Sequence, residues 1–306
     1  MDTDPLPKLP LVRVEPARPR PARLPPLLDG GLTPAELQEL ARAKAILENP
    51  GLAARISHVL GRPIEQGYKM LPSGWQGIIH KAARAALTAA LHTAVRTLGP
   101  RGANDSKASG ERLHKFLVGA SGGIGGAFGL VSLPVELPVS TTLMLRSIAD
   151  IARSEGHDLR QPATQMACLE VFALGGRTSA DNATDSAYWA VRTALARAVS
   201  EAATYLAERG VMEKGAPAVL RLVTAIAARF GVVVSEQAAA KAVPVVGAAG
   251  GAVINVLFMN HFQDMARGHF IVKRLEAKYG TAEVESAYLR LESDFSPRPE
   301  ENPRRA

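Results

Sequence analysis

The chain has 306 residues, of which 47% are hydrophobic and only 5% are aromatic, with alanine and glycine abundant. This composition argues against a β-sandwich, a class rich in valine, threonine and tyrosine, and favours closely packed helices. The 36 lysine and arginine residues outnumber the 29 aspartate and glutamate residues by seven, an excess that allows an acidic partner such as an anionic lipid surface or nucleic acid.

The chain is predicted to start with a disordered arm rich in proline and arginine, residues 1–31. Eight prolines between Pro5 and Pro26 remove the amide donors that a helix or a sheet needs. The arm has neither the basic n-region nor the apolar h-region of a signal peptide, which predicts a cytoplasmic protein. We expect a helical domain over residues 32–292 and a disordered tail over residues 293–306.

Helix signals begin directly after the arm. Thr33 and Pro34 are typical of an N-cap followed by proline at the first helical position, and Glu36 places negative charge in the first turn. This helix is predicted to end near Glu48, before an Asn-Pro-Gly sequence. A second, short helix is predicted over residues 52–60.

An amphipathic helix with a basic side is predicted over residues 75–98. Its apolar residues recur at helical spacing: Trp75, Ile78, Ile79, Ala82, Ala86, Leu91, Ala94, Val95 and Leu98. The other side carries His80, Lys81, Arg84, Thr88, His92 and Arg96. Two interpretations stay open, a surface helix that covers its own core and a helix that lies on an anionic membrane.

Polar, glycine-containing stretches at residues 99–110 and 175–186 are predicted to be loops. Cys168 lies between them in an apolar stretch that is typical of a helix interior. As the single cysteine of the chain it cannot form an internal disulfide, which fits a reducing compartment.

Two glycine-rich segments, residues 117–135 and 242–260, contain no charged residue. Each is long enough to cross a bilayer as a helix. The first has only eight strongly apolar residues, so its insertion free energy of roughly −2 to −5 kcal/mol is offset by its glycines, serines and proline. A tightly packed soluble core and a hairpin that dips into the membrane therefore both stay open.

The glycines of these segments recur four residues apart, which places them on one helical face and lets two helix backbones approach closely. The predicted helix-packing residues are Gly119, Gly122, Gly123, Gly125, Gly126, Gly129, Gly247 and Gly251. Neither segment has the lysine of a P-loop or the third glycine of a dinucleotide fingerprint. No cofactor is predicted.

Five polar residues are candidates for function, beginning with Glu136, Arg146 and Asp150. Glu136 is an acid between two prolines in an uncharged run, and a buried carboxylate must be paired, protonated or exposed to water. We expect a loop position that faces water. Arg146 and Asp150 share a helical face with Arg153, which favours an ion-pair ladder over a head-group anchor.

Asn255 and His269 complete the candidates. Asn255 stands alone in an apolar helix and is expected to bond to another helix or to a backbone carbonyl. His269 lies eight residues beyond His261, about 80° away around the helix axis, so the two histidines and Asp264 suit a metal poorly and no metal is predicted. The sequence has no nucleophile elbow, and no catalytic residue is assigned.

Two groups of motifs together resemble the EcsC family. The first comprises residues 133–153, beginning Leu-Pro-Val-Glu-Leu-Pro-Val, then residues 155–156 and 169–175. The second comprises residues 244–247, Gly250, Asn255, Phe262, Ala266, His269, Phe270, Arg274, Leu275, Tyr279 and Gly280. The resemblance implies a bacterial, largely helical protein without an assigned reaction. Because the family is named for a link to an ABC-transporter locus, it also implies proximity to a membrane.

These observations predict an all-α fold, one helical domain around the two glycine-rich segments, and leave two functions open. The first is a non-catalytic protein at the inner face of the cytoplasmic membrane, linked to transport or envelope processes, with an anionic membrane surface or a membrane protein as partner. The second is an enzyme or apolar-ligand binder with a pocket near Glu136, Arg146, Asp150 and His269. Nucleic-acid binding is not expected, because no reading motif accompanies the charge. The sequence does not fix the oligomeric state.

Overall fold

The computed structural model describes residues 31–48, 51–60, 64–97, 133–176, 186–209, 216–242 and 247–291. These residues form ten helices, and none of them lies in a β-strand, so the all-α prediction is confirmed. The predicted arm up to residue 30, the predicted loop at 99–110 and the predicted tail all lie outside the described residues. The proposed domain bounds stay predictions.

The helices are numbered in chain order. They are α1 (Pro34–Leu47), α2 (Leu52–Leu60), α3 (Glu65–Met70), α4 (Trp75–Thr97), α5 (Leu133–Ser154), α6 (Pro162–Leu174), α7 (Ala187–Arg209), α8 (Pro217–Ala242), α9 (Gly247–Tyr279) and α10 (Thr281–Arg290).

The local signals at the start of the domain act as predicted. The Thr33 hydroxyl accepts a hydrogen bond from the Glu36 amide, and the Glu36 carboxylate accepts one from the Thr33 amide at 3.0 Å, which completes a capping box. Pro34 occupies the first turn of α1, where its missing donor costs nothing. α1 ends one residue before the predicted Glu48, and α2 has its predicted bounds.

α6 lies at the centre of the core. Every residue from Thr164 to Leu174 is buried, and the helix packs against α5, α7, α8 and α9. A helix that is apolar all round is stable only when other elements surround it. Cys168 is therefore helix interior as expected, and burial raises the pKa of its thiol to about 12.

α5 and α9 run side by side in the same direction. The Gln263 amide donates to the Ser147 hydroxyl at 2.8 Å, and further along both helices the Arg274 guanidinium bonds the Glu155 carboxylate at 3.1 Å. Residue numbers thus increase together along both helices, and residues near the start of α5 lie close to residues near the start of α9.

The expectation that Glu136 lies in a loop is wrong, because α5 already begins at Leu133. Pro134 lies in the first turn, where the amide hydrogen that it lacks would have no partner. Pro138 lies inside the helix and gives up one backbone hydrogen bond. The hydroxyl of Thr142 donates to the Pro138 carbonyl at 2.8 Å in the following turn. Two prolines four residues apart are thus compatible with a helix start.

Glycine permits close helix packing at places that the sequence did not single out. A side chain at Gly67 in α3 would collide with the backbone of Ala239 in α8. One at Gly268 in α9 would lie 2.7 Å from the Leu47 side chain of α1. At Gly67 the two helix backbones are therefore closer than any other residue would allow, and at Gly268 a side chain would displace that of Leu47.

Of the eight glycines that were predicted to pack helices together, only two lie in the described part of the chain. The six glycines between Gly119 and Gly129 lie outside the described residues. Gly247 and Gly251 lie in the first turns of α9, so the second glycine-rich segment is helical from residue 247 onward. The packing role of all eight glycines stays a prediction.

α8 is the one helix among the described residues that is long and apolar enough to cross a membrane. Half of its most apolar stretch is buried inside the protein, as in the core helix of a water-soluble fold. Its length and composition are therefore weak evidence for a membrane span.

Candidate functional site

Glu136 and Asn255, two of the five candidates, belong to one polar network. The Lys241 ammonium donates to Glu136 Oε1 at 2.9 Å, and Asn255 Nδ2 lies 3.5 Å from the same oxygen. Gln237 Nε2 donates to Asn255 Oδ1 at 3.0 Å. Asn255 thus bonds to other helices as predicted, and the network ties α5, α8 and α9 together. The carboxylate that was expected to face water is paired with a lysine.

Arg146 and Asp150 lie elsewhere, further along α5. Asp150 Oδ1 pairs with Arg153 Nη1 at 2.9 Å, and both side chains are more than half exposed. An exposed pair of this kind stabilises a helix by only a few tenths of a kcal/mol, roughly 0.3 to 0.5. Arg146 lies one turn earlier and is partly exposed. This is the ordinary surface pairing that the spacing indicates.

The predicted pocket near Glu136, Arg146, Asp150 and His269 is not formed, because the structure does not bring these side chains together. His269 follows Asn255 by fourteen residues in α9, which is about 21 Å along the helix axis. It is fully buried, whereas Asp150 is exposed. The linear sequence could not show this separation, because it depends on how α5 and α9 are aligned.

His269 belongs instead to a buried cluster that the sequence did not indicate. Its Nδ1 lies 3.1 Å from the hydroxyl of Tyr188, within hydrogen-bond distance. Its Nε2 lies 3.6 Å from Glu170 Oε2 and has no hydrogen-bond partner among the described residues. Beside them, the Arg192 guanidinium bonds both carboxylate oxygens of Glu276, at 2.7 and 3.0 Å.

The surroundings of Glu170 and His269 disfavour a charge on either side chain. Burial raises the pKa of Glu170, and burial with the nearby Lys273 and Arg192 charges lowers the pKa of His269 well below 6.5. Both shifts oppose the charged forms that an ion pair between these two side chains would need. The side chains of Glu170, His269, Arg192 and Glu276 are 5%, 0%, 13% and 8% exposed, which closes the cluster to a dissolved substrate.

One signal could have located this cluster. Glu170 is the single charged residue of α6, a helix whose other residues are apolar or uncharged. An acid in a fully buried helix must have polar surroundings, so Glu170 predicts a polar cluster. Its neighbours Tyr188 and His269 come from distant parts of the chain and could not be identified in the same way.

The residues considered for a metal have protein partners. His261 Nε2 lies 3.0 Å from the carbonyl oxygen of Gly175, and Asp264 pairs with Arg55 at 2.8 Å and with Arg267 at 2.9 Å. Within the described part of the chain, no group of three or more histidine, cysteine or acidic side chains is arranged to hold a metal ion.

The outer side of α4 carries exposed basic and apolar side chains. Lys81 and Arg84 are exposed, and neither forms an ion pair with another described residue. Ile78 belongs to the predicted apolar side, but it is 54% exposed, whereas its neighbour Ile79 is 2% exposed. Consecutive helical residues lie about 100° apart, so only one of the two isoleucines points to the core. We call Ile78, Lys81 and Arg84 the α4 strip.

The comparison with known proteins identifies a family and no activity. The sequence model of the EcsC protein family matches residues 35–275, which is most of the chain. No curated protein and no solved structure matches the chain. The matched residues include α5, α6, α7, α8 and most of α9, the helices that contribute the two polar clusters, and end one residue before Glu276. On this match, the chain belongs to the EcsC protein family.

Proposed function

We propose that this protein is a non-catalytic, peripheral membrane protein that binds an anionic lipid surface through the α4 strip. The observation that supports the proposal is the exposure of Ile78 beside Lys81 and Arg84, two cations without an acidic partner among the described residues. An apolar residue flanked by free cations is the arrangement by which a surface helix binds the head-group region.

The charges of the α4 strip suit such a surface. A lysine or arginine near an anionic leaflet contributes about 1 kcal/mol to binding, and this contribution is screened by salt. The neighbouring α3 ends in Lys69 and in Met70, a methionine that is 54% exposed. A third cation and a second apolar side chain thus lie close to the start of α4. The chain as a whole carries +7, which favours the same partner.

The inner face of the cytoplasmic membrane and a role in transport or envelope processes belong to the same proposal. The inner leaflet is the anionic one, and the α4 strip is cationic. The link to transport rests on the naming of the family for an ABC-transporter locus. A membrane protein as the partner is the competing interpretation, and lipid vesicles without protein distinguish the two.

Co-sedimentation with vesicles tests the proposal. We expect the protein to pellet with phosphatidylglycerol vesicles and to stay in solution with phosphatidylcholine vesicles. Salt at about 0.5 M should release it, because the Debye length then falls below about 5 Å. Replacing Lys81 and Arg84 by glutamine removes two cations at about 1 kcal/mol each, so the partition coefficient should fall roughly 30-fold.

A matched control separates the α4 strip from net charge. Arg42 in α1 and Arg290 in α10 are also exposed, and replacing both by glutamine changes the net charge equally. This double variant should bind vesicles like the wild type. Equal losses of vesicle binding in the two double variants would contradict a specific role of α4. Pelleting that resists salt would indicate insertion into the bilayer. A wild-type protein that stays in solution with phosphatidylglycerol vesicles would refute the proposal.

A further inference from the structure

A groove follows the seam between α4 and α8 on the surface of the protein. The two helices run in opposite directions, since His80 lies beside Gly231 and Arg84 lies near Arg221, earlier in α8. Two depressions lie along this seam, one of about 490 Å³ at the Arg84 end and one of about 340 Å³ at the Trp75 end. Ala225 lines the first and Ala228 the second, less than one helical turn apart in α8. We call the two depressions together the α4–α8 groove.

One end of the groove is cationic. Arg84 and Arg221 both line this end. Arg221 Nη2 bonds Glu201 Oε2 at 2.7 Å, but Arg197 Nε bonds the other oxygen of the same carboxylate at 2.8 Å. Two guanidinium groups therefore share one carboxylate, and Arg84 forms no ion pair with a described residue, which leaves a local excess of positive charge.

The rest of the groove is mainly apolar. Leu220, which is 40% exposed, lines the cationic end, and Ile79, Val232 and the ring of Trp75 line the other end. α8 contributes to the groove from Pro217 to Ser235, a distance of about 27 Å along its axis. Two successive, mainly apolar depressions with two arginines at one end are complementary to a molecule with an anionic head and an extended apolar chain.

We propose that the α4–α8 groove binds one anionic phospholipid molecule, with its phosphate between Arg84 and Arg221 and one acyl chain directed toward Trp75. Guanidinium groups bind phosphate with two parallel hydrogen bonds, so two arginines can hold one head group. The apolar lining of the groove favours a lipid over free phosphate. The inference deepens the proposed function and rests on it, because Arg84 belongs both to the α4 strip and to the groove.

The test uses a short-chain phosphatidic acid below its micelle concentration, so that no membrane is present. Titration calorimetry with the full chain measures its affinity. A second form with brominated acyl chains should quench Trp75, which lines the groove, while the other tryptophan, Trp189, is buried. Monomeric phosphatidylcholine and inorganic phosphate are the two comparison ligands. Both should bind at least tenfold more weakly, because the choline cation is repelled by the arginines and inorganic phosphate has no acyl chain to bury.

Two variants place the ligand in the groove. Ala228 lines the groove and is exposed, so Ala228→Phe fills the space without disturbing the core. We expect it to weaken monomer binding about tenfold or more, whereas Ala282→Phe, at an exposed alanine of α10, should have no effect. Arg221→Gln should weaken the binding of the anionic lipid about tenfold.

The outcomes separate the two proposals. If vesicles bind through Lys81 but the monomeric lipid does not bind, or if Ala228→Phe binds it normally, the groove is refuted and the proposed function stands. Equal affinity for inorganic phosphate would refute the acyl-chain site, and equal affinity for phosphatidylcholine would refute the head-group site. If the wild type binds neither monomers nor vesicles, the proposed function itself is wrong.

Discussion

The buried cluster around His269 shows what a polar side chain requires inside a helical core. The Tyr188 hydroxyl bonds to Nδ1 of the imidazole, while Nε2 faces the Glu170 carboxyl group beyond hydrogen-bond distance. Burial disfavours a charge on either group, because an uncompensated buried charge is costly. The aromatic rings of Trp189 and Tyr288 pack around Tyr188 and exclude water from this region.

The Tyr188 hydrogen bond should contribute to stability. Replacing Tyr188 by phenylalanine removes the only bonded partner of the His269 ring among the described residues, and we expect the free energy of unfolding to fall by about 1 to 3 kcal/mol. Tyr205 lies in the same helix, is partly buried and forms no hydrogen bond with a described residue through its hydroxyl. Urea unfolding of the Tyr205→Phe control should therefore change by less than about 0.5 kcal/mol, and equal effects of both variants would contradict this account.

Glu236 should make stability depend on pH. Burial raises its pKa to about 7, although its carboxylate accepts a hydrogen bond from the Ala53 amide at 3.1 Å. The folded state binds this proton more tightly than the unfolded state, so the contribution to stability is complete below pH 4.5 and is lost as the pH rises through 7. The loss is at most about 3 kcal/mol.

Glu236→Gln keeps an acceptor for Ala53 and removes the titration. Urea unfolding at pH 5 and pH 8, roughly the two sides of this pKa, should show a smaller difference between the two pH values in this variant than in the wild type. The exposed Glu208 is the matched control, and Glu208→Gln should keep the wild-type difference. If the Glu236→Gln variant also keeps the wild-type difference in stability between the two pH values, another group carries the pH dependence.

Some single residues could be identified from the sequence and others could not. Asn255 was expected to bond to another helix because an amide in an apolar helix has no local partner, and this is confirmed. The location of Glu136 was mistaken because proline is more often a loop signal than a helix start. Its partner Lys241 follows it by 105 residues, and a contact at that separation depends on how α5 and α8 pack.

At the level of helices, bounds that depend on local chemistry were predictable. The capping box of α1 and the amphipathic pattern of α4 act within a few residues. The observed ends of these two helices agree with the predicted ends within one residue. α3 was not predicted because it has only six residues and includes a glycine. Its position depends on contact with α8, which the local sequence does not reveal.

The close packing of α3 on α8 should depend on Gly67. Any side chain there would overlap the backbone of Ala239, which cannot rotate away, so Gly67→Ala should lower the free energy of unfolding by about 1 to 3 kcal/mol. A methyl group at Gly77 in α4 would meet no other atom within 4 Å, and Gly77→Ala should raise stability slightly through its helix propensity, by up to about 1 kcal/mol. Thermal unfolding measures both variants, and a neutral Gly67→Ala would refute the close contact.

At the level of the whole molecule, composition was sufficient for the fold class but not for the arrangement. Abundant alanine and glycine with few aromatics indicated packed helices, and the described residues contain helices and no strand. The choice of α6 as the central helix depends on its contacts with α5, α7, α8 and α9. The amphipathic pattern of α4 left a membrane face and a core-covering face open, and the helix buries one side against α5 and α8 while the α4 strip stays exposed.

The central claim is that the α4 strip touches the lipid surface, and a fluorophore placed in the strip tests it directly. Cys168 is buried, so a cysteine introduced at Ile78 can be labelled selectively with an environment-sensitive dye. Leu289 in α10 is similarly exposed, 45% against 54% for Ile78, and provides the control position. With phosphatidylglycerol vesicles, the dye at position 78 should shift its emission to the blue and be quenched by brominated lipid, while the dye at position 289 should not change. Equal responses at both positions, or none at position 78, would contradict the account.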